Sequence, residues 1–313
     1  MISTFVLGQG SFRLFRLAGI EVYLHWTWFL AALYEFQQRA GTYGSPAWNV
    51  LEYLSVFAMV TLHEFGHALA CRSTGGHAER IVLWPLGGLA LVNPPQRPAA
   101  TLWSVAAGPL VNVALIPVLI AAAAIARAAG VQPGSDPAHF LYWLTGMNVV
   151  LLAFNLLPSY PLDGGQVLRS LLWFVVGRAR SLVAVAVIGF LGAAGLALLA
   201  VAKASFWFGL LAAFMAFSCW RALQNGRALL RLERLPRRPA VACPACGAAP
   251  PLGALWKCGR CGTAFDTFET GATCPSCGAR FAATRCVDCG AYSPIEGWTA
   301  PAPVVPGSGS VPA

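Results

Sequence analysis

The chain has 313 residues, of which 57% are hydrophobic and 11% are charged, whereas about 25% of the residues in ordinary soluble domains are charged. This is not the composition of a soluble enzyme, and 18 Phe with 11 Trp argue against a disordered chain. A net charge of +9 suggests nucleic acid as a partner. Ten cysteines suggest disulfides or metal sites.

The charge and the cysteines separate along the chain near Ala240. Residues 1–240 contain 17 Lys and Arg against 8 Asp and Glu, so the whole excess of positive charge lies in the apolar part. Eight of the ten cysteines follow Ala240, in a part whose charges balance. The sequence therefore predicts a hydrophobic module followed by a small, neutral, cysteine-rich module.

The hydrophobic module contains apolar segments near the ~20 residues that a helix needs to cross a bilayer. Six membrane spans are predicted, at residues 23–38, 49–70, 102–126, 140–157, 182–202 and 205–220. With both termini in the cytoplasm, 14 Lys and Arg of the connections lie on the cytoplasmic side and three on the other. Because positive residues are retained inside, we expect a multi-pass membrane protein with cytoplasmic termini.

The second span contains the sequence His63-Glu64-Phe65-Gly66-His67. Four residues make about one helical turn, so His63 and His67 project from one face and are able to bind a single Zn²⁺. Glu64 lies beside the first ligand, where it is able to act as a general base on water. An ionisable group inside a membrane is costly and marks a functional site.

Asp163 is the candidate for the third ligand, since a catalytic zinc site usually has three protein ligands. It lies in the stretch Asn155-Leu-Leu-Pro-Ser-Tyr-Pro-Leu-Asp163-Gly-Gly, whose prolines and glycines end the preceding span. Unwound backbone at membrane depth is tolerated around a cavity lined by protein. A helix-terminating loop with a capping Asp is the alternative interpretation.

These motifs resemble those of the site-2 protease family of intramembrane zinc metalloproteases, and the six-span layout is similar to its sporulation-factor-processing branch. The resemblance covers residues 10–225 and includes the sequence Ala107-Gly-Pro-Leu-Val-Asn112. It implies His63, His67 and Asp163 as ligands of a catalytic Zn²⁺, Glu64 as the base, and Asn155 as a contact to the substrate backbone or the oxyanion. It also implies a prokaryotic cell membrane and a membrane-tethered protein as substrate.

Three further polar residues and one short segment of the hydrophobic module allow more than one interpretation. Asn112 and Asn148 are explained equally well as substrate contacts or as interhelical hydrogen bonds. His25 resembles a histidine of many relatives, although a histidine packed at the membrane interface is the preferred interpretation. The pattern of residues 80–92 predicts two short strands. The resemblance implies a re-entrant β-hairpin beside the active site, and a plain surface hairpin is the alternative interpretation.

The cysteine-rich module contains four C-x-x-C-G knuckles, which are typical of structural zinc sites. Their cysteines are Cys243, Cys246, Cys258, Cys261, Cys274, Cys277, Cys286 and Cys289. Two sequential Cys₄ ribbons are the simplest pairing, and a cross-braced pairing has the same spacing. Eight thiolates with two Zn²⁺ add about four negative charges, so a cytoplasmic protein partner is preferred to nucleic acid.

The sequence thus predicts an all-α polytopic membrane protein with a re-entrant β-hairpin and C-terminal zinc ribbons. The predicted domains are a protease domain at 1–225, a basic juxtamembrane linker at 226–240, a double zinc-ribbon domain at 241–297 and a disordered tail at 298–313. The predicted function is hydrolysis of a peptide bond in or near a transmembrane helix, with one catalytic and two structural Zn²⁺. A membrane zinc transporter or sensor without proteolytic activity is the alternative.

Overall fold

The computed structural model describes residues 10–39, 41–84 and 87–298. The chain divides into two compact units, Met1–Arg227 and Ala228–Ala313. The predicted disordered tail lies outside the described residues except for Trp298, which is buried against Cys243 and Cys286. The second unit therefore extends at least one residue beyond the predicted end of the zinc ribbons.

Seven helices make up most of the described part of the first unit. They are α1 (Thr27–Gln38), α2 (Pro46–Ser73), α3 (Pro98–Ala128), α4 (Asp136–Asn155), α5 (Asp163–Val176), α6 (Arg178–Ala202) and α7 (Phe206–Glu233). Within the described residues, five helices are long and apolar enough to cross a membrane, namely α2, α3, α4, α6 and α7. These five correspond to the second to sixth predicted spans.

A four-stranded sheet accompanies the helices. Its strands are β1 (Ser11–Leu17), β2 (Ile20–His25), β3 (His77–Trp84) and β4 (Gly87–Asn93), in that spatial order. β2 and β3 are parallel, and the other two pairs are antiparallel. The predicted class, helical with a β-hairpin, is confirmed as mostly helical, and the two strands predicted between residues 80 and 92 are present. β1 and β2 are two strands that the sequence analysis does not predict.

The first predicted span, residues 23–38, is not one helix, so the count of six helical spans is not confirmed. The segment begins in β2 and continues as α1, which has 12 residues. At 1.5 Å per residue α1 is about 18 Å long, too short for a hydrocarbon layer of about 30 Å. A short strand before a short helix has the same hydropathy as a longer helix, which explains the wrong prediction.

β2 and α1 together nevertheless extend along the length of α2. At one end the Arg72 side chain donates to the carbonyls of Ala18 and Gly19. At the other end the Asn49 side chain donates to the carbonyl of Arg39. The helical rise places Arg72 and Asn49 about 34 Å apart, which exceeds the hydrocarbon thickness. The strand and the short helix therefore cover the distance of one membrane crossing.

A buried ion pair fixes the turn between α1 and α2. Glu52 is 1% exposed, and its carboxylate lies 2.7 Å from Nε of Arg39. Tyr43 donates a hydrogen bond to the same carboxylate. α2 then begins at Pro46 after Ser45, whose hydroxyl accepts from the N–H of Ala47, as is usual at helix N-termini.

The loop after α4 leads into a helix that was not predicted. α5 begins at Asp163, so this residue lies in the first turn of a helix rather than within a loop. Gly164 and Gly165 are buried, and a Cβ atom at either position would lie within 2.5 Å of backbone atoms of the loop. Two glycines are therefore required for the close packing that places Asp163.

The second unit contains short β-hairpins. Its strands are β5 (Trp256–Lys257), β6 (Ala264–Phe265), β7 (Thr284–Arg285) and β8 (Tyr292–Ser293), followed by a 3₁₀ helix at Ile295–Gly297. Arg237 pairs with Asp288 at 2.6 Å, and Arg238 pairs with Asp266 at 2.7 Å. Two arginines of the predicted linker thus belong to the ribbon unit, and α7 occupies another part of the linker up to Glu233.

Candidate functional site

The structure brings His63, His67 and Asp163 together although the sequence separates the histidines from the carboxylate by almost 100 residues. Nε2 of His63 and Nε2 of His67 lie 3.1 Å apart. Oδ2 of Asp163 lies 2.9 Å from Nε2 of His63 and 3.3 Å from Nε2 of His67. All three side chains are at least 87% buried. The histidines come from α2 and the carboxylate from the first turn of α5.

The donor set fits a zinc ion. Bonds of about 2.0–2.1 Å at tetrahedral angles place ligand atoms about 3.3 Å apart, close to the three separations between His63, His67 and Asp163. Two imidazoles and one carboxylate are also the ligand types of hydrolytic zinc sites. Three protein ligands leave a coordination position for water or substrate.

The opposite nitrogens of both imidazoles are also held. Nδ1 of His67 lies 2.9 Å from the carbonyl oxygen of Ser104, and Nδ1 of His63 lies 2.6 Å from Oδ1 of Asn112. Since a carbonyl and an amide oxygen are acceptors, each Nδ1 carries the proton and each Nε2 has a free lone pair. Such hydrogen bonds orient metal-binding histidines and raise their basicity.

Asn112 is fixed in turn by Asn148. The amide of Asn112 donates to Oδ1 of Asn148 at 2.8 Å, and the amide of Asn148 donates to the Asn112 carbonyl at 2.9 Å. Both residues are at most 1% exposed. Of the two interpretations that the sequence left open for these asparagines, the structure shows the interhelical hydrogen bonds.

Glu64 lies on the side of α2 that faces β4. Its Oε2 accepts a hydrogen bond of 2.8 Å from the N–H of Ala90, and the residue is 6% exposed. A Cβ atom at Gly88 would lie 2.2–2.5 Å from the Glu64 side chain. The glycine therefore lets the strand approach the carboxylate closely, which the sequence analysis did not anticipate.

The two remaining candidates occupy different positions. Asn155 is the last residue of α4 and is partly buried, eight positions before Asp163. His25 is 7% exposed, its Nδ1 lies 2.7 Å from the Thr27 hydroxyl, and its ring stacks on Trp84. These contacts agree with the preferred interpretation of His25 as a packed histidine.

We expect Asn112→Ala to weaken zinc binding at the membrane site about 10- to 100-fold, the usual effect of losing a hydrogen bond behind a ligand. The change leaves Nδ1 of His63 without its acceptor and Oδ1 of Asn148 without its donor. Competition with a chromophoric chelator on the detergent-solubilised chain measures this. Asn49→Ala is a suitable control because Asn49 bonds to a backbone carbonyl far from the site. Equal affinities of the two variants would contradict the expectation.

The eight knuckle cysteines form two clusters in the second unit, and their pairing differs from the prediction. One cluster contains Cys243, Cys246, Cys286 and Cys289, and the other contains Cys258, Cys261, Cys274 and Cys277. The first knuckle therefore pairs with the fourth and encloses the second and third. The predicted sequential pairing and its cross-braced alternative are both wrong. The C-x-x-C spacing is the same in every knuckle, so the spacing does not identify which knuckles share a metal site.

The sulfur positions fit tetrahedral zinc. Sγ–Sγ distances between paired knuckles are 3.6 Å in the inner cluster and 3.8–3.9 Å in the outer cluster, whereas Zn–S bonds of about 2.3 Å imply about 3.8 Å. Hydrogen bonds from the hydroxyl and backbone N–H of Thr263 lower the pKa of Cys261 to about 6. The thiolate needed for metal binding is therefore available there at neutral pH.

Zinc counts on paired cysteine variants distinguish the pairings. We expect Cys258→Ser with Cys274→Ser to remove about one zinc per chain, since both residues belong to the inner cluster. Cys243→Ser with Cys258→Ser should remove about two, because each change disables a different cluster. Sequential ribbons would give the reverse result for the two pairs. Elemental analysis of the purified chain measures the counts.

Comparison with known proteins places the first unit among membrane metalloproteases. The sequence profile of Peptidase family M50 matches residues 52–131 and 117–199. A zinc metalloprotease of Methanocaldococcus jannaschii is 33% identical over 171 residues, 55% of this chain and 48% of that protein. Stage IV sporulation protein FB of Bacillus subtilis is 29% identical over 152 residues, 48% of this chain and 46% of that protein. The chain thus spans about half the length of these curated relatives.

A solved structure matches more completely. The site-2 protease from Methanocaldococcus jannaschii is 30% identical, and the match covers 68% of this chain and 95% of that one with a TM-score of 0.53. The profile match includes α2 and the start of α5, which carry the two histidines and Asp163. The shared fold and the profile match, which covers the clustered residues, show the family of this chain. The chain belongs to the site-2 protease family, within peptidase family M50.

Proposed function

We propose that the chain is an intramembrane zinc metalloendopeptidase that cleaves a peptide bond in or near a transmembrane helix of a membrane-tethered protein. The observation that carries the proposal is the convergence of His63, His67 and Asp163, with Glu64 beside them. Glu64 lies outside the cluster of ligand atoms and is fixed by the N–H of Ala90. A carboxylate held next to a metal site but not among its ligands is suited to act as a general base. A transporter does not need such a base.

His63, His67 and Asp163 would hold the zinc ion, which when bound supplies Lewis acidity and lowers the pKa of water. Ser104 and Asn112 keep the two imidazoles in the required tautomer. Glu64 takes the proton from the attacking water and delivers it to the leaving amine. Asn155 is proposed, on the family resemblance, to contact the substrate backbone or the oxyanion.

A transmembrane helix must unwind locally before cleavage, because its hydrogen bonds occupy the carbonyl groups. β4 is an edge strand of the sheet, and its N–H at Ala90 points towards Glu64 rather than towards β3. An unwound substrate lying along this edge would receive main-chain hydrogen bonds. The edge therefore supports the proposal that the substrate is bound in an extended conformation beside the base.

We further propose that both termini are cytoplasmic and that the active site lies in the cytoplasmic leaflet. The 14 basic residues on one side of the module support this orientation. The strand and short helix that cover one crossing make an even number of crossings with the five helical spans. The cleaved domain would then be released into the cytoplasm, where the ribbons are proposed to bind a protein partner rather than nucleic acid.

Metal analysis and fragment comparison test the proposal together. We expect about three zinc ions per chain, one at the membrane site and two in the ribbons, and one fewer in His67→Ala. Cells that carry the wild-type chain should contain membrane-protein fragments that are absent from cells carrying Glu64→Gln. Fragments identical in both would contradict proteolysis, and zinc movement across vesicles by both proteins would favour a transporter.

A further inference from the structure

A polar cavity of about 190 Å³ lies next to the metal-binding cluster and is not used by the mechanism above. It is formed by the end of β4, the loop that follows it, the first turns of α3 and the middle of α5. Its polar lining includes Asn93, Gln96, Thr101, Ser104, Gln166 and Arg169. Ser104 connects the cavity with the zinc site because its carbonyl oxygen orients His67.

Arg169 gives the cavity a positive charge that the described parts of the protein do not neutralise. No carboxylate lines the cavity, and no acidic side chain within residues 10–39, 41–84 and 87–298 forms an ion pair with Arg169. Its Nε is buried without a hydrogen-bond partner, and its guanidinium lies 5.8 Å from the Trp173 ring. A guanidinium has five N–H donors in a planar fork that matches a carboxylate, so Arg169, with its buried Nε unpaired, is suited to an anionic ligand.

The neighbouring amides add donors to this site. Gln96 donates one hydrogen bond to the Pro94 carbonyl, and Gln166 donates one to the Pro161 carbonyl. Each amide nitrogen carries a second N–H. The hydroxyls of Thr101 and Ser104 already donate to backbone carbonyls. The donors left for a ligand are therefore the second N–H groups of the two amides and the guanidinium of Arg169, as expected for a carboxylate site.

The position of the cavity relates it to the reaction. Ala90 donates to Glu64, and Val92 and Asn93, two and three residues further along the same strand, line the cavity. At about 3.3 Å per residue, a chain extended along β4 from Glu64 enters the cavity two or three residues later. The size of the cavity admits a carboxylate-bearing side chain or a chain terminus but not a second helix.

We propose that the Arg169 cavity binds an acidic side chain of the substrate, two or three residues from the scissile bond. This inference rests on the proposed proteolytic function. The C-terminal carboxylate created by cleavage forms at the scissile carbon beside Glu64, so the carboxylate in the cavity belongs to a side chain. Arg169 acts as a specificity-determining residue, and no bond to it forms or breaks.

The first arm of the test uses the full chain in phosphatidylcholine vesicles with single-span model peptides that the wild-type chain cleaves. Glu and Gln are compared at each position on the cytoplasmic side of the scissile bond. At the positions two or three residues from the scissile bond, we expect the wild-type chain to favour Glu over Gln about tenfold in kcat/KM. The preference should arise mainly from a lower KM for the Glu peptide. Arg169→Gln should lose the preference, and Arg169→Lys should retain part of it. Arg180→Gln, which changes an exposed arginine, should behave as wild type.

The second arm measures binding and needs no turnover. Labelled single-span peptides with Glu or Gln at the same positions are bound to the zinc-loaded chain in the Glu64→Gln background, which is expected not to cleave them. If the acidic side chain is the ligand, the Glu peptide binds about tenfold more tightly, and Arg169→Gln removes the difference.

The proposal is overturned if neither arm shows a carboxylate preference, or if Arg169→Gln leaves such a preference unchanged. Failure of the wild-type chain to cleave any peptide contradicts the proposed proteolysis, while the binding arm still decides whether the cavity binds a carboxylate.

Discussion

Glu64→Gln should abolish proteolysis while the membrane site keeps its zinc. The amide has the shape of the carboxylate, and its oxygen is still able to accept the N–H of Ala90. It has no basic lone pair for the proton of the attacking water, so we expect kcat to fall about 10²- to 10⁴-fold, the usual contribution of a general base. Because the proposed ligands are His63, His67 and Asp163, the zinc content should stay at the wild-type value.

The measurement is cleavage of a single-span substrate by purified protein in vesicles, with elemental analysis of the same sample. Glu79→Gln is the matched control, since Glu79 is an exposed carboxylate on β3. Full activity in Glu64→Gln would assign the base to another group. Loss of zinc together with activity would instead make Glu64 a ligand, and the proposed division of roles would be wrong.

The metal-binding cluster could be predicted largely from the sequence because two physical rules restrict it strongly. The helical period places positions four apart on one face, which identifies His63 and His67. The cost of a charge in a membrane singles out Glu64 and Asp163 among the apolar residues around them. These rules find the groups that bind metal or transfer protons.

The groups that orient the cluster follow from tertiary packing and were not found. The Ser104 contact uses a main-chain carbonyl, which every residue possesses, so its side chain gives no indication of the role. Gly88 becomes significant only once β4 lies against α2. By sequence position Arg169 is one of the 14 basic residues on the cytoplasmic side, and position alone does not show which side of a helix faces a cavity.

The fold shows the same division between local and long-range information. Hydropathy identifies helices of 20 or more residues, and the five long apolar helices of the described residues overlap predicted segments, although α7 continues to Glu233, beyond the predicted end at residue 220. It does not distinguish β2 followed by α1 from one helix, because the sheet that holds β2 forms with β3, more than 50 residues later. The nested pairing of the cysteine knuckles likewise depends on contacts between distant parts of the chain.

Gly108→Ala should destroy the membrane zinc site although it adds only one methyl group. In a helix interior this change ordinarily stabilises by about 0.5–1 kcal/mol. Here the new Cβ atom would lie 2.3 Å from Nε2 of His67 and 2.8 Å from Nε2 of His63, and both nitrogens are proposed ligand atoms. Separations below 3.0 Å are not tolerated, so the imidazoles or α3 must move.

Neither movement preserves the site. The His67 ring is held by the carbonyl of Ser104, one turn before Gly108 on the same helix, so a shift of the ring breaks the bond that orients it. A shift of α3 is opposed by Gly66, where α2 packs directly on the Ala107 carbonyl, and it would carry Asn112 away from His63. We therefore expect the zinc content to fall from about three to about two per chain, and cleavage to fall at least about 100-fold.

Gly146→Ala on α4 is the matched control, because a Cβ atom there meets nothing within 4 Å. It should keep all its zinc and unfold at the same or a slightly higher temperature. Thermal unfolding and elemental analysis of both variants separate a local effect from general destabilisation. Gly108→Ala with full zinc content and wild-type cleavage would mean that α3 does not approach the ligands as closely as described. Loss of zinc in a variant that remains folded would show that this glycine is required for the metal site through the space it leaves for the two imidazoles.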